Sequence, residues 1–186
     1  MSQDSVITSN PWVRLMTGML TRCTAENKDG LGNEILKICR SLYNTKQMLP
    51  AEAVKELCSL LLSQSLLLPA LKLLLESRDE RLHAVALEHI AAVGQVNDSN
   101  CDPELLSLLL DAGLLAKCVS TAFYPHVVRH LLASPRRGPW DAEALAGHLR
   151  DAGHVAEAGS LLLAVRGTHR ALRTFSAALS AGRHWL

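Results

Sequence analysis

The chain has 186 residues, of which 48% are apolar and 4% aromatic, and its formal net charge is +1. Leu (36) and Ala (23) make up nearly a third of it, while Val, Ile and Thr together number 23. Leu and Ala lose little side-chain freedom in a helix, so the composition points to an all-α fold and excludes disordered, collagen-like, sandwich and disulfide-scaffold classes.

The first nine residues are polar and read as a flexible N-terminal segment. Asn10 then has the character of a helix cap, with Pro11 in the first helical position. Trp12, Leu15, Met16, Met19 and Leu20 follow at spacings that predict one apolar face. Lys28-Asp29-Gly30 is expected to end that helix. A second is predicted from Leu31 to Tyr43, with Leu31, Ile35, Ile38 and Leu42 on its stripe. Pro50 opens the third, in which Glu52 and Glu56 suit the positive N-terminal end. The next, around Pro69, carries Leu71, Leu73, Leu74 and Leu75, too many for one stripe, and is expected to be buried on most sides. A fifth begins near Asp79 with Leu82, Val85, Ala86, Ile90 and Val93 facing inward.

Asp102-Pro103-Glu104 is a cap, a proline and an acidic residue in the order that starts a helix, and Gly113 is a good stop. A short helix is predicted over 114–120 and another from Tyr124. Ser134 to Pro139 is the strongest breaker in the chain and marks a candidate sub-boundary. Helices at about 141–151, 155–165 and 168–181 complete the pattern. The expected architecture is therefore an irregular α-solenoid of HEAT-like helix pairs over residues 10–186, with about ten or eleven helices. Residues 105–120 match 145–160 at seven of sixteen positions, including Asp111-Ala112-Gly113 with Asp151-Ala152-Gly153, a forty-residue offset that suits one helix pair.

Residues that could carry chemistry are sparse. No Gly-x-Ser-x-Gly, phosphate-cradling glycine loop or Cys-x-x-Cys occurs. The five cysteines, at spacings of 16, 19, 43 and 17, fit reduced and mostly buried thiols. His126 and His130 share a helical face, but no acidic residue lies near them in sequence to complete a zinc site. The longest uncharged stretch, Leu57 to Leu71, has 15 residues, against the roughly 20 a bilayer span needs. The N-terminus has no apolar core of a signal peptide. No catalytic residue, cofactor or metal is expected, and no direct nucleic-acid contact, because the basic residues are not interleaved with aromatics.

Charge is uneven. Residues 121–186 hold 8 Arg, no Lys, 4 acidic residues and six of the eight His. Arg166, Arg170 and Arg173 fall at helical spacing, and Trp185 is next to last. These four are the candidate partner-binding residues, a basic stripe and an aromatic chain end facing an acidic partner.

The segments SNPWVRLM, SLYNTKQMLPAEAVKELC, LLLPALKLLLESRDE, NDSNCDPELLSLLLDAG and AGSLLLAVRGTHRALRTFSAAL are spread along nearly the whole chain. In these it resembles the C-terminal region of the neuroblastoma-amplified sequence family. RHWL resembles that family's own terminus, whereas Met1 falls at a point internal to the longer proteins. The resemblance implies a non-enzymatic helical scaffold in a vesicle-tethering complex of Golgi-to-ER retrograde transport. It implies other subunits of the ER tethering complex and ER SNAREs as partners, and a cytoplasmic location held peripherally at the endoplasmic reticulum through them. It implies, as the alternative, regulation of nonsense-mediated mRNA decay through contact with decay factors. The family's upstream propeller and tethering regions have no counterpart in these residues, and no binding residue is carried over.

Overall fold

The computed structural model describes residues 10–133, 142–151 and 153–166. Among these the chain is all-helical: nine α-helices and one 3-10 turn, with no strand. The helices are α1 (Pro11–Leu20), α2 (Lys28–Asn44), α3 (Ala51–Ser63), α4 (Leu67–Glu76), α5 (Glu80–Ala92), α6 (Pro103–Asp111), α7 (Tyr124–Ala133), α8 (Ala142–Asp151) and α9 (Val155–Arg166). This is fewer than the ten or eleven expected. The segment after Gly113 closes as a four-residue 3-10 turn, Leu115–Cys118. The helix predicted over 168–181, the N-terminal segment 1–9 and the 134–139 breaker lie outside the described residues.

The helix starts follow the chemistry of their caps. Asn10 Oδ1 accepts from the amides of Trp12 at 3.0 Å and Val13 at 3.3 Å. Asp79 Oδ1 accepts from Arg81 N at 2.9 Å, and Asp102 Oδ1 from Leu105 N at 2.8 Å. Each satisfies an amide that the first turn leaves unpaired. Gly30 breaks no helix. It sits in the first turn of α2, where a glycine costs at most about 1 kcal/mol and Asp29 favours the helix end. The break lies at 21–27, where Asn27 Oδ1 instead accepts from Thr24 N at 2.7 Å.

Four helices end in the same way. After α6, Gly113 N donates to Leu110 O at 3.0 Å and Leu114 N to Leu109 O at 3.1 Å. After α8, Gly153 N donates to Arg150 O at 2.9 Å and His154 N to Leu149 O at 2.8 Å. This is the double bond of the Schellman stop, with glycine at φ +67° and +86°. The forty-residue repeat therefore has a structural counterpart in a helix and its stop. It ends there, since a 3-10 turn follows one copy and α9 the other. The stops after α2 and α3 have the same bonds, Gln47 N to Leu42 O and Leu66 N to Leu61 O, both 2.9 Å. They place Lys46 (φ 59°) and Ser65 (φ 60°) in the left-handed region. A side chain there costs roughly 1–2 kcal/mol. Lys46→Gly and Ser65→Gly are each expected to raise stability by about 0.5–1 kcal/mol in urea unfolding, with the glycine's looser unfolded state absorbing part of the relief.

The described residues divide between two compact units, the first up to residue 89 with 98–100, the second 90–97 with those from residue 101 on. In the first, α3 and α4 form a hairpin turned at Ser65, α1 packs on α3 and α2, and α2 packs on α4. Every residue of α4 from Pro69 to Leu75 is buried, the leucines on more than one side as expected and Lys72 among them at 5% exposure. Gly32 brings α2 onto α4: a Cβ there would stand 2.7 Å from Pro69 Cγ. Arg40 of α2 donates to Glu76 Oε1 of α4 from Nε at 2.8 Å and also from its Nη2.

The inward face of α1 is only in part the predicted one: Met16 and Leu20 of the expected stripe are inside, and Trp12 and Leu15 are not. Val13, Met16 and Leu20 are buried, whereas Trp12 is 39% and Leu15 49% exposed. The run offers apolar residues on more than half of the helix surface, so spacing alone admits two phases. Packing on α3 selects the one in which the bulky Trp12 is not forced into a tight helix contact.

In the second unit, α8 and α9 form a hairpin turned at Gly153, α7 packs on α6 and α9, and the 3-10 turn lies against α7 and α8. Phe123, Tyr124, Val127 and Val128 are fully buried at its centre. Tyr124 meets the His154 ring at 5.9 Å between centroids.

Candidate functional site

Arg166 closes α9, while Arg170, Arg173 and Trp185 lie outside the described residues.

The two histidines of α7 have different surroundings. His130 Nε2 is 2.9 Å from Ser107 Oγ, a contact that ties α7 to α6, and His126 is half-buried one turn earlier. Among the described residues no three His, Cys, Asp or Glu side chains gather as a metal would need.

The thiols are set for packing. Cys39, Cys58, Cys101 and Cys118 are buried and Cys23 half-buried, all unbridged. Cys39 Sγ lies 3.6 Å from Met16 Sδ, and Cys58 Sγ donates to Ala70 O at 3.6 Å. Burial, with the Glu76 carboxylate adding to it, pushes the Cys39 thiol up to about 12. Burial does the same for Cys58, to about 12, and raises Cys118 to about 11. A thiol that stays protonated is a poor nucleophile. Tyr43, raised to about 12 by burial and by the neighbouring Cys39, Glu76 and Cys58, belongs to the same cluster.

These groups keep their protons in the folded chain after the unfolded chain has lost them, so folding becomes less favourable as pH rises. Stability is expected to hold below pH 9 and to fall steadily between pH 9 and 12. Urea midpoints across that range check this; a midpoint flat to pH 11 would contradict the buried-thiol assignment.

One open cleft of about 460 Å³ lies in the first unit, lined by Met48, Leu49, Ala51, Ser77, Arg78, Asp79 and Glu80. Of its two carboxylates, Asp79 and Glu80, the first is already committed. Asp79 accepts from Arg81 Nε at 3.1 Å and Nη2 at 2.7 Å, and these bonds hold it at about 2. The Ser77 hydroxyl in the cleft accepts from Asp79 N at 3.2 Å, and the cleft's form is that of a surface groove between two loops.

Sequence reasoning did not find the Arg40–Glu76 bridge or the outward face of α1. The bridge joins residues 36 apart, and nothing local distinguishes Arg40 from a solvated arginine. The α1 face was visible as a surplus of apolar residues over what one stripe needs.

Over all 186 residues the chain is 76% identical to the human protein named NBAS subunit of NRZ tethering complex. It spans 8% of that relative's length. No family model matches, and no solved structure does.

Proposed function

We propose that this chain is a non-enzymatic helical scaffold, the counterpart of one part of a tethering-complex subunit. The observation that carries the reading is the 76% identity, unbroken over the whole chain, to a human protein named for its place in such a complex. Identity at that level extends to surface positions as well as the core, and surfaces are where subunits meet. In this reading the helix pairs are repeats of one α-solenoid over residues 10–186. The partners are other subunits of the tethering complex and ER SNAREs, and the process is Golgi-to-ER retrograde transport. The chain resides in the cytoplasm and reaches the endoplasmic reticulum through those partners. Consistent with this, no helix among the described residues is long and apolar enough to cross a membrane.

The test is co-purification of an epitope-tagged chain from cells. Recovery of tethering subunits and ER SNAREs supports the reading. Recovery of a decay helicase in their place would instead favour the alternative, a protein-contact regulator of nonsense-mediated mRNA decay. Within the same reading, Arg166, Arg170, Arg173 and Trp185 form the docking end. The Arg170→Glu and Arg173→Glu double variant is expected to recover less of the tethering subunits, with the loss larger at low salt than at physiological salt, because exposed charges act mainly through screened attraction. Equal recovery under both conditions would remove the stripe from the docking surface.

A further inference from the structure

We infer that the outer face of α1 is a docking surface for an acidic amphipathic helix of a partner protein. The inference goes beyond the tethering reading and stands on α1 and the turn that follows it. With Val13, Met16 and Leu20 turned to the core, Trp12 (39% exposed) and Leu15 (49% exposed) are left on the outside. Met19 is half-buried beside them. Their spacing of three and four is that of one helical stripe, about two turns long. A stripe of this length, with anchors at i, i+3 and i+7, is the contact one helix makes when it lies along another. Gly18, exposed next to Leu15 and Met19, has nothing within 4 Å of where a Cβ would be, so a second helix can approach closely there.

The charge around the stripe selects the occupant. From residue 10 to residue 25 the chain holds Arg14 and Arg22 and no acidic side chain, although residues 1–120 as a whole are net acidic. Both arginines are exposed, and neither guanidinium makes an ion pair among the described residues. A second copy of the chain would set these arginines against their own images. A bilayer would call for a wider apolar face and a denser basic flank than three side chains and two arginines supply. A helix with an apolar stripe and glutamates or aspartates along its edges matches both features at once.

The probe is a pair of synthetic helical peptides with the same leucine stripe, one flanked by glutamates and the other by lysines, titrated against the full chain by fluorescence anisotropy. The glutamate peptide is expected to bind at least about tenfold tighter at low salt, with the preference shrinking as salt rises. The Trp12→Ser and Leu15→Ser double variant should lose that binding, and Arg14→Glu with Arg22→Glu should reverse the preference. Hydrogen exchange on the wild-type chain supplies a readout that needs no variant: the glutamate peptide should protect residues 12–19. Equal affinity for the two peptides, or protection elsewhere only, overturns the proposal. So does stripe-dependent binding to phosphatidylserine vesicles without a peptide preference, which would make α1 a membrane contact. Self-association abolished by Leu15→Asp without peptide binding would assign the face to a second copy.

Discussion

Leu74→Asp is expected to leave no soluble helical chain. Leu74 is 0% exposed, and its neighbours Leu71 and Leu73 are equally closed off, so no rotamer takes the new carboxylate to water. Removing the leucine side chain alone, as in Leu74→Ala, costs about 2–5 kcal/mol through lost burial and the cavity left behind. Aspartate adds the penalty of a polar group without a hydrogen-bond partner, charged or protonated. Domains of this size have a margin of about 5–15 kcal/mol, and the two terms together use most or all of it. Expression tests with circular dichroism, alongside Leu74→Ala and the exposed Leu15→Asp as comparisons, check this. A Leu74→Asp chain with wild-type ellipticity and melting midpoint would mean that α4 is not the buried element described above.

Gly32 and Gly30 are expected to respond with opposite signs. They lie two residues apart on α2, both to be judged as glycines in a helix. A Cβ at Gly32 would stand 2.7 Å from Pro69 Cγ and 3.5 Å from Leu66 Cδ2, and Pro69 is a ring on a buried helix that cannot rotate away. A Cβ at Gly30 meets nothing within 4 Å. Gly30→Ala should therefore stabilise by up to about 1 kcal/mol, the difference in helix propensity. Gly32→Ala receives the same benefit and loses more to the clash. Gly32→Val, with two more methyl groups and a restricted χ1, should destabilise by about 3 kcal/mol as α2 is forced off α4. Urea midpoints of the three variants decide it, and Gly32→Val at or above wild-type stability would show that the two helices are not in close contact.

Local chemistry determined a large part of this protein. The caps at Asn10, Asp79 and Asp102 and the stops at Gly113 and Gly153 are bonds between a residue and its near neighbours, so each is written in a few consecutive letters. The same holds for the all-α class and for the burial of the α4 leucines, which are too many for one stripe. The left-handed stops at Lys46 and Ser65 escaped this logic because neither residue type favours the conformation. They are held in it by the helices that must turn there.

The partner-binding residues proposed from sequence were chosen on charge and, for Trp185, on an aromatic near the chain end, and neither says what such a surface meets. Tertiary structure decided what local spacing leaves open. It chose the phase of α1, where more than one set of apolar residues satisfies the helical period and only packing on α3 ranks them. It turned Leu115–Cys118 into a 3-10 turn packed against α7 and α8. It joined Arg40 to Glu76 and Gly32 to Pro69 across 36 and 37 positions of chain. Contacts between residues so far apart depend on how helices cross, and crossing is set by the shapes of many side chains at once rather than by any short run of letters.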